Sequence, residues 1–279
     1  MLEKAYLAFE KELSALSQGV SPPKWCTSKT SLGRDLQLMH RSQKDADRLK
    51  NTINELKTKL EVLNQKETPQ DWAKAQNNLA AALHALAQQQ EDGLNLLNES
   101  MEAYKNVLII WKRREVPLEW AKTFNNLSTV FQTMGEQQKD PRFLENSIAA
   151  FNNTFAVLKQ KDNPVEWAIS QNNQGVSLQM LAQLIDETER LEKSIEFYKG
   201  ALEELSLEKE PMGWLITKSN LGSARKMLAE KTENIMTARE AVGDFEQIVR
   251  FFQVSKYIAY QNMAIKHRAN ARRVLAKFS

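Results

Sequence analysis

Apolar residues recur at offsets 0, 7, 11 and 14 from a tryptophan in one stretch of the chain after another. From Trp72 they are Leu79, Leu83 and Leu86; from Trp120 they are Leu127, Phe131 and Met134. At about 100° per residue these offsets fall on one face of a helix. A proline stands three residues before each tryptophan. Proline is tolerated in the first turn of a helix and ends the helix before it, so each proline predicts a start. About 18 residues of helical pattern follow each one. Polar stretches, Gln88 to Gly93 and Gly135 to Pro141, then break the pattern. A second helical segment comes next, as in LLNESMEAYKNVLIIW and FLENSIAAFNNTFAVL. Each unit reads as a helical hairpin, and no strand signature appears.

The hairpin is copied along the chain. The pairs are Pro22/Trp25, Pro69/Trp72, Pro117/Trp120, Pro164/Trp167 and Pro211/Trp214, and the tryptophans are 47, 48, 47 and 47 residues apart. Tyr257 continues the series without its proline. Units of this size stack, because one copy cannot bury its own apolar face. The expectation is a single all-α domain over residues 1–279, with repeats starting near 22, 69, 117, 164 and 211. Residues 1–19 would form an N-terminal capping helix and residues 254–279 a C-terminal one, since the end repeats of a stack must shield an apolar face.

Small and aromatic residues give the repeat a family likeness. Asn220-Leu221-Gly222 and Leu32-Gly33 carry a Leu-Gly step in the first helix, with variants at Asn78-Leu79-Ala80, Asn126-Leu127-Ser128 and Asn173-Gln174-Gly175. The second helix carries the pairs Ser100/Tyr104, Ser147/Phe151, Ser194/Tyr198 and Ala241/Phe245. Over roughly residues 20–279 the chain resembles the tetratricopeptide-repeat family, in its long-repeat bacterial form. It departs from the usual pattern in its length, near 47 residues, with the excess expected between the Leu-Gly step and the second helix. Its tryptophan also lies one turn early. The resemblance implies a right-handed α-solenoid of helix-turn-helix hairpins whose concave groove binds a peptide or a partner's helix.

One polar residue recurs where helices do not favour it. Asn78, Asn126, Asn173 and Asn220 share offset 6 from the tryptophan, and Asn77, Asn125, Asn172 and, counted from Tyr257, Asn262 share offset 5. Asparagine competes for the helix backbone, so its repetition needs a cause. Two causes compete. The amides bridge adjacent hairpins, or the offset-6 row grips a ligand's backbone, as an amide that both donates and accepts can do. The second reading resembles the asparagine ladder on the inner surface of a tetratricopeptide arm.

The groove centre is expected at offsets 2, 9 and 13. There the chain changes from Lys74, Lys122 and small residues to Ile169, Val176, Met180, Ile216 and Met227. An apolar strip opposite a core face awaits a ligand or is buried by neighbouring first helices. The tryptophans, standing at core offsets, are expected to be buried.

Composition limits the function classes. Hydrophobic residues make up 42% of the chain, which suits a folded protein, and the net charge is +3, which gives no indication of a nucleic-acid partner. No apolar run reaches the roughly 18–20 residues of a membrane span, and the N-terminus lacks a secretory pattern. One cysteine, Cys26, excludes an internal disulfide. It reads as structural. His40, His84 and His267 share no metal-ligand spacing. No phosphate loop, nucleophile elbow or paired-carboxylate motif is present. The expectation is a cytoplasmic, non-enzymatic adaptor without a cofactor, binding a protein or peptide, with a homo-oligomer left open. The alternative uses the C-terminal stretch, which after Glu246 has no acidic residue but carries Arg250, Lys256, Lys266, Arg268, Arg272, Arg273 and Lys277. Such a helix suits an acidic partner or phosphates.

Overall fold

A computed structural model describes Lys11, residues 43–90, 92–253 and 258–278. The expected N-terminal cap, Trp25, Cys26, Leu32-Gly33, His40 and Tyr257 lie outside the described residues. Two compact units divide the rest, one over Arg41–Asp162 and one that includes Asn163–Ser279.

The first unit contains α1 (Gln43–Val62), α2 (Pro69–Ala87), α3 (Leu94–Ile110), α4 (Pro117–Gln138) and α5 (Pro141–Phe155). The second contains α6 (Pro164–Ile185), α7 (Thr188–Glu204), α8 (Pro211–Thr232), α9 (Ile235–Gln253) and α10 (Ile258–Lys277). There is no strand among the described residues. Within each unit every helix packs on the next, and alternate helices also touch one another: α2 with α4, α6 with α8, and α8 with α10.

The Pro–Trp spacing has a hydrogen-bond basis. Proline occupies the first turn, where a missing N–H costs nothing. The tryptophan N–H then closes the first turn, donating to the residue before the proline: Trp72 to Thr68 at 2.9 Å, Trp120 to Val116 at 2.9 Å, Trp167 to Asn163 at 2.8 Å and Trp214 to Glu210 at 2.8 Å. No side chain caps these four starts.

The tryptophan rings are only partly buried, contrary to expectation. Arg113 lies over the Trp120 ring at 5.9 Å, and Phe124 tilts against it at 4.6 Å. Full burial falls to the next residue, Ala73, Ala121, Ala168 or Leu215, each 0% exposed. The second helices end on a buried plug at the same register, Trp111, Leu158, Leu205 and Phe252. The other core offsets hold: Leu79, Leu83 and Leu86 pack on Ile53 of α1, and Leu127 and Met134 share a cluster with Tyr104.

Helix and loop lengths also differ from the pattern reading. The stretch from Gly135 to Gln138 is helical, so α4, α6 and α8 each run 22 residues. The expected polar loop shrinks to two residues, one left-handed and one opening the next helix. The left-handed residues are Lys139, Asp186 and Glu233, with φ of 51°, 60° and 53°. None is glycine, although a Cβ disfavours this region by about 1–2 kcal/mol. Asp140 and Asn234 then accept hydrogen bonds from the first turns of α5 and α9. Lys139→Gly and Glu233→Gly should therefore each stabilise their unit by about 0.5–1 kcal/mol, part of the relief being offset by the freer unfolded chain. Urea unfolding of the two variants measures this; a loss of stability would contradict it. Between α2 and α3 the connection is longer, and Gly93 approaches the Ala87 carbonyl so closely that a Cβ would sit 2.6 Å from it.

Candidate binding surface

Small residues at one register let the two helices of each hairpin come together. A Cβ on Gly175 would lie 2.7 Å from the Tyr198 ring, and one on Gly222 would lie 3.0 Å from the Phe245 ring. In the first unit the Ser100 hydroxyl donates to the Ala80 carbonyl at 2.7 Å, and Ser147 to that of Ser128 at 2.9 Å. The second-helix pairs of the repeat are thus a hairpin clasp, made by the serine bonding the facing helix in the first unit and by the aromatic abutting the facing glycine in the second. The clasp sets which faces of the first helices remain for other work.

In the first unit that remaining face is polar, open on α2 and largely covered on α4. On α2, Lys74, Asn78 and Ala81 are exposed, and Lys74 approaches Asp71 at 3.8 Å. On α4, Lys122, Asn125 and Asn126 are half-buried, and Thr129 and Thr133 are buried. His84 Nε2 lies 2.8 Å from Thr133 Oγ1 and 3.0 Å from Gln88 Nε2, joining α2 to α4. Asn126 is hydrogen-bonded to the hydroxyl of Tyr104 on α3. Burial pushes the Tyr104 phenol far above its ordinary value of 10, and the bond to Asn126 offsets part of that rise.

In the second unit the same register is filled. Ile169, Val176, Met180 and Ile216 are at most 7% exposed. Asn173 and Asn220 are 2% and 0% exposed. The Asn220 amide donates to Asn172 Oδ1 at 3.0 Å, crossing from α8 to α6, and the Asn172 amide donates to Asn173 Oδ1 at 3.1 Å. Met227 is half-buried, and its sulfur lies 3.3 Å from the amides of both Gln179 and Gln183. Of the two roles for the asparagines, these distances place bridging between hairpins at Asn172 and Asn220. Of the eleven candidate residues, Lys74 and Asn78 stand most open, Lys122, Asn126 and Met227 are half-buried, and the remaining six are covered.

The bridge has a measurable consequence. Asn172→Ala and Asn220→Ala should each destabilise the second unit by about 0.5–1.5 kcal/mol, because each breaks a buried amide–amide hydrogen bond between hairpins. The double variant should cost less than the sum, with a coupling of about 0.5 kcal/mol or more. A double-mutant cycle in urea measures it, and additive losses would remove the bridge.

Pattern reading missed a buried charge cluster. Asp244 of α9 is 3% exposed, and its carboxylate takes Lys218 Nζ at 2.8 Å and Arg225 Nη1 at 2.6 Å, both from α8. Arg225 Nε also lies 3.2 Å from Glu240. The available signal was an aspartate flanked by the core residues Val242 and Phe245 of a second helix, with its partners Lys218 and Arg225 seven residues apart on α8. Among the described residues there is no group of three or more histidine, cysteine or acidic side chains placed to hold a metal ion, and no helix long and apolar enough to cross a membrane. No family model matches the chain, and no curated protein matches it.

Proposed function

We propose that the chain is a protein-interaction module of the tetratricopeptide-like kind, a right-handed solenoid that holds an extended, carboxylate-bearing peptide along its proline-started helices. The supporting observation is the contrast between registers. In the second unit the asparagines and the apolar strip are consumed inside the fold. In the first unit Lys74, Asn78 and Ala81 of α2 stand exposed in one row, at spacings of four and three residues, with nothing bulky among them. Small residues let a backbone approach, an exposed amide can donate to and accept from it, and a lysine ammonium can meet a carboxylate.

Lys122 and Asn126 of α4 extend the same chemistry from half-buried positions. Peptide captured this way is held through its backbone, so sequence selectivity comes from the two lysines. The partner implied is a protein segment, and cytoplasmic residence and the absence of a catalytic role belong to the same reading.

The test uses an acidic peptide array probed with the full chain, followed by titration of the peptides retained. Asn78→Ala with Lys74→Ala should weaken capture at least tenfold while leaving the melting temperature unchanged, since both side chains are exposed. Retention of binding in that variant, with Asn172→Ala weakening it instead, would refute the assignment to α2.

A second reading rests on α10. Its Lys266, Arg273 and Lys277 are exposed, and Arg272 bonds Glu246 at 2.7 Å. Docking of this face on phosphates would show a steep loss of affinity with salt.

A further inference from the structure

A solvent-open pocket of about 220 Å³ lies among α8, α9 and α10, lined by Ser223, Lys226, Phe245, His267 and Asn270. It is distinct from the α2 surface, and the inference drawn from it holds whether or not the chain grips peptides there. Its volume is below the several hundred Å³ of drug-sized ligand sites, so it suits a ligand of a few carbons.

Charge distinguishes this pocket. None of its five lining residues is acidic. Two neighbouring cations on α8, Lys218 and Arg225, are held at 2.8 and 2.6 Å by Asp244. Lys226 is different: its approach to Glu230 on the same helix is 3.6 Å, which is longer than a hydrogen bond. Its ammonium therefore keeps donor capacity for something else in the pocket. Ser223 and Asn270 add a hydroxyl and an amide, both able to donate. Phe245, 1% exposed, backs the half-buried His267 ring at 5.8 Å with the planes 21° apart, so the flat side of the pocket that a ligand can reach is the imidazole.

We infer that this pocket is a binding site for a small organic monocarboxylate, whose carboxylate meets Lys226 and whose planar body lies along the imidazole of His267. One ammonium balances one negative charge, and two neutral donors complete a carboxylate's acceptor sites without further cations. The apolar remainder of the ligand gains from leaving water beside the His267 ring.

Benzoate is the probe, added to the isotope-labelled full chain and followed by amide and histidine-ring NMR. The expected result is saturable shifts confined to residues around Ser223, His267 and Asn270, with a dissociation constant on the order of 1 mM, the affinity range of a small ligand held by one charge and a few contacts. Lys226→Met should weaken this at least tenfold, and Lys226→Arg should retain it. Benzamide, equally flat but uncharged, should not saturate. Equal binding of benzamide would overturn the carboxylate assignment. Inorganic phosphate saturating the site while benzoate does not would overturn the monocarboxylate. Shifts that never saturate, or that survive Lys226→Met with the amide spectrum of the fold intact, would overturn the site itself.

Discussion

Asp244→Ala should cost the second unit about 3–5 kcal/mol, the usual result of removing one partner from a buried charge cluster. The carboxylate is 3% exposed and is shared by two cations whose side chains are themselves only 14% and 12% exposed. Its loss leaves the Lys218 ammonium and the Arg225 guanidinium facing one another in a space with little water. Each cation was tolerated there because Asp244 balanced it. Glu240→Ala removes the outer partner of the same arginine; the Glu240 side chain is 55% exposed, so solvent screens that pair and the loss should stay below about 1 kcal/mol. Lys218→Met combined with Asp244→Ala should recover part of the deficit, since it deletes one stranded charge. Urea unfolding of the four chains measures the series. A loss under about 1 kcal/mol for Asp244→Ala would mean that water reaches the cluster and that the carboxylate is a surface group.

The hairpins were legible because their signal is local and repeated. Pro69, Pro117, Pro164 and Pro211 mark helix starts through backbone geometry alone, and each copy confirms the others. Leu79, Leu83, Leu86, Leu127 and Met134 follow a period that any amphipathic helix must show. Three other features depend on information the pattern does not hold. The left-handed turns at Lys139, Asp186 and Glu233 lack the glycine that ordinarily announces them, so a helix running on to Gln138 looked like a loop from Gly135. The tryptophans stand at core offsets yet are only partly buried, and an alanine or leucine beside each one is fully buried instead. The fate of each asparagine depends on what faces it. Asn78 and Asn220 hold the same register, yet one is exposed and the other bonds Asn172 across two helices. A repeat pattern assigns both the same role; their environments assign different ones.

Tyr198 joins the legible part to the illegible part, and its replacement should have an effect as large as that of Asp244. The residue is 0% exposed, its ring abuts Gly175 and its hydroxyl donates to Gln179 Oε1 at 2.8 Å. Tyr198→Ala removes a whole buried aromatic ring and should cost about 3–5 kcal/mol. Tyr198→Phe keeps the ring and strands the buried Gln179 carbonyl, for a loss of about 1–3 kcal/mol. Gly175→Ala places a methyl group where the ring already is, and the ring is held by its hydroxyl bond and cannot swing away cheaply. That overpacking should cost about 1–3 kcal/mol in the native background. In the Tyr198→Ala background the space is vacant, so the same methyl should cost little or even restore some contact. The double variant should then be more stable than the sum of the single losses predicts, by about 1 kcal/mol or more. Strictly additive losses would show that Gly175 and Tyr198 do not touch. The hairpin clasp would then have to rest on the serine bonds to the facing backbone, which this repeat lacks: its Ser194 hydroxyl turns back to Leu191 of its own helix at 2.7 Å.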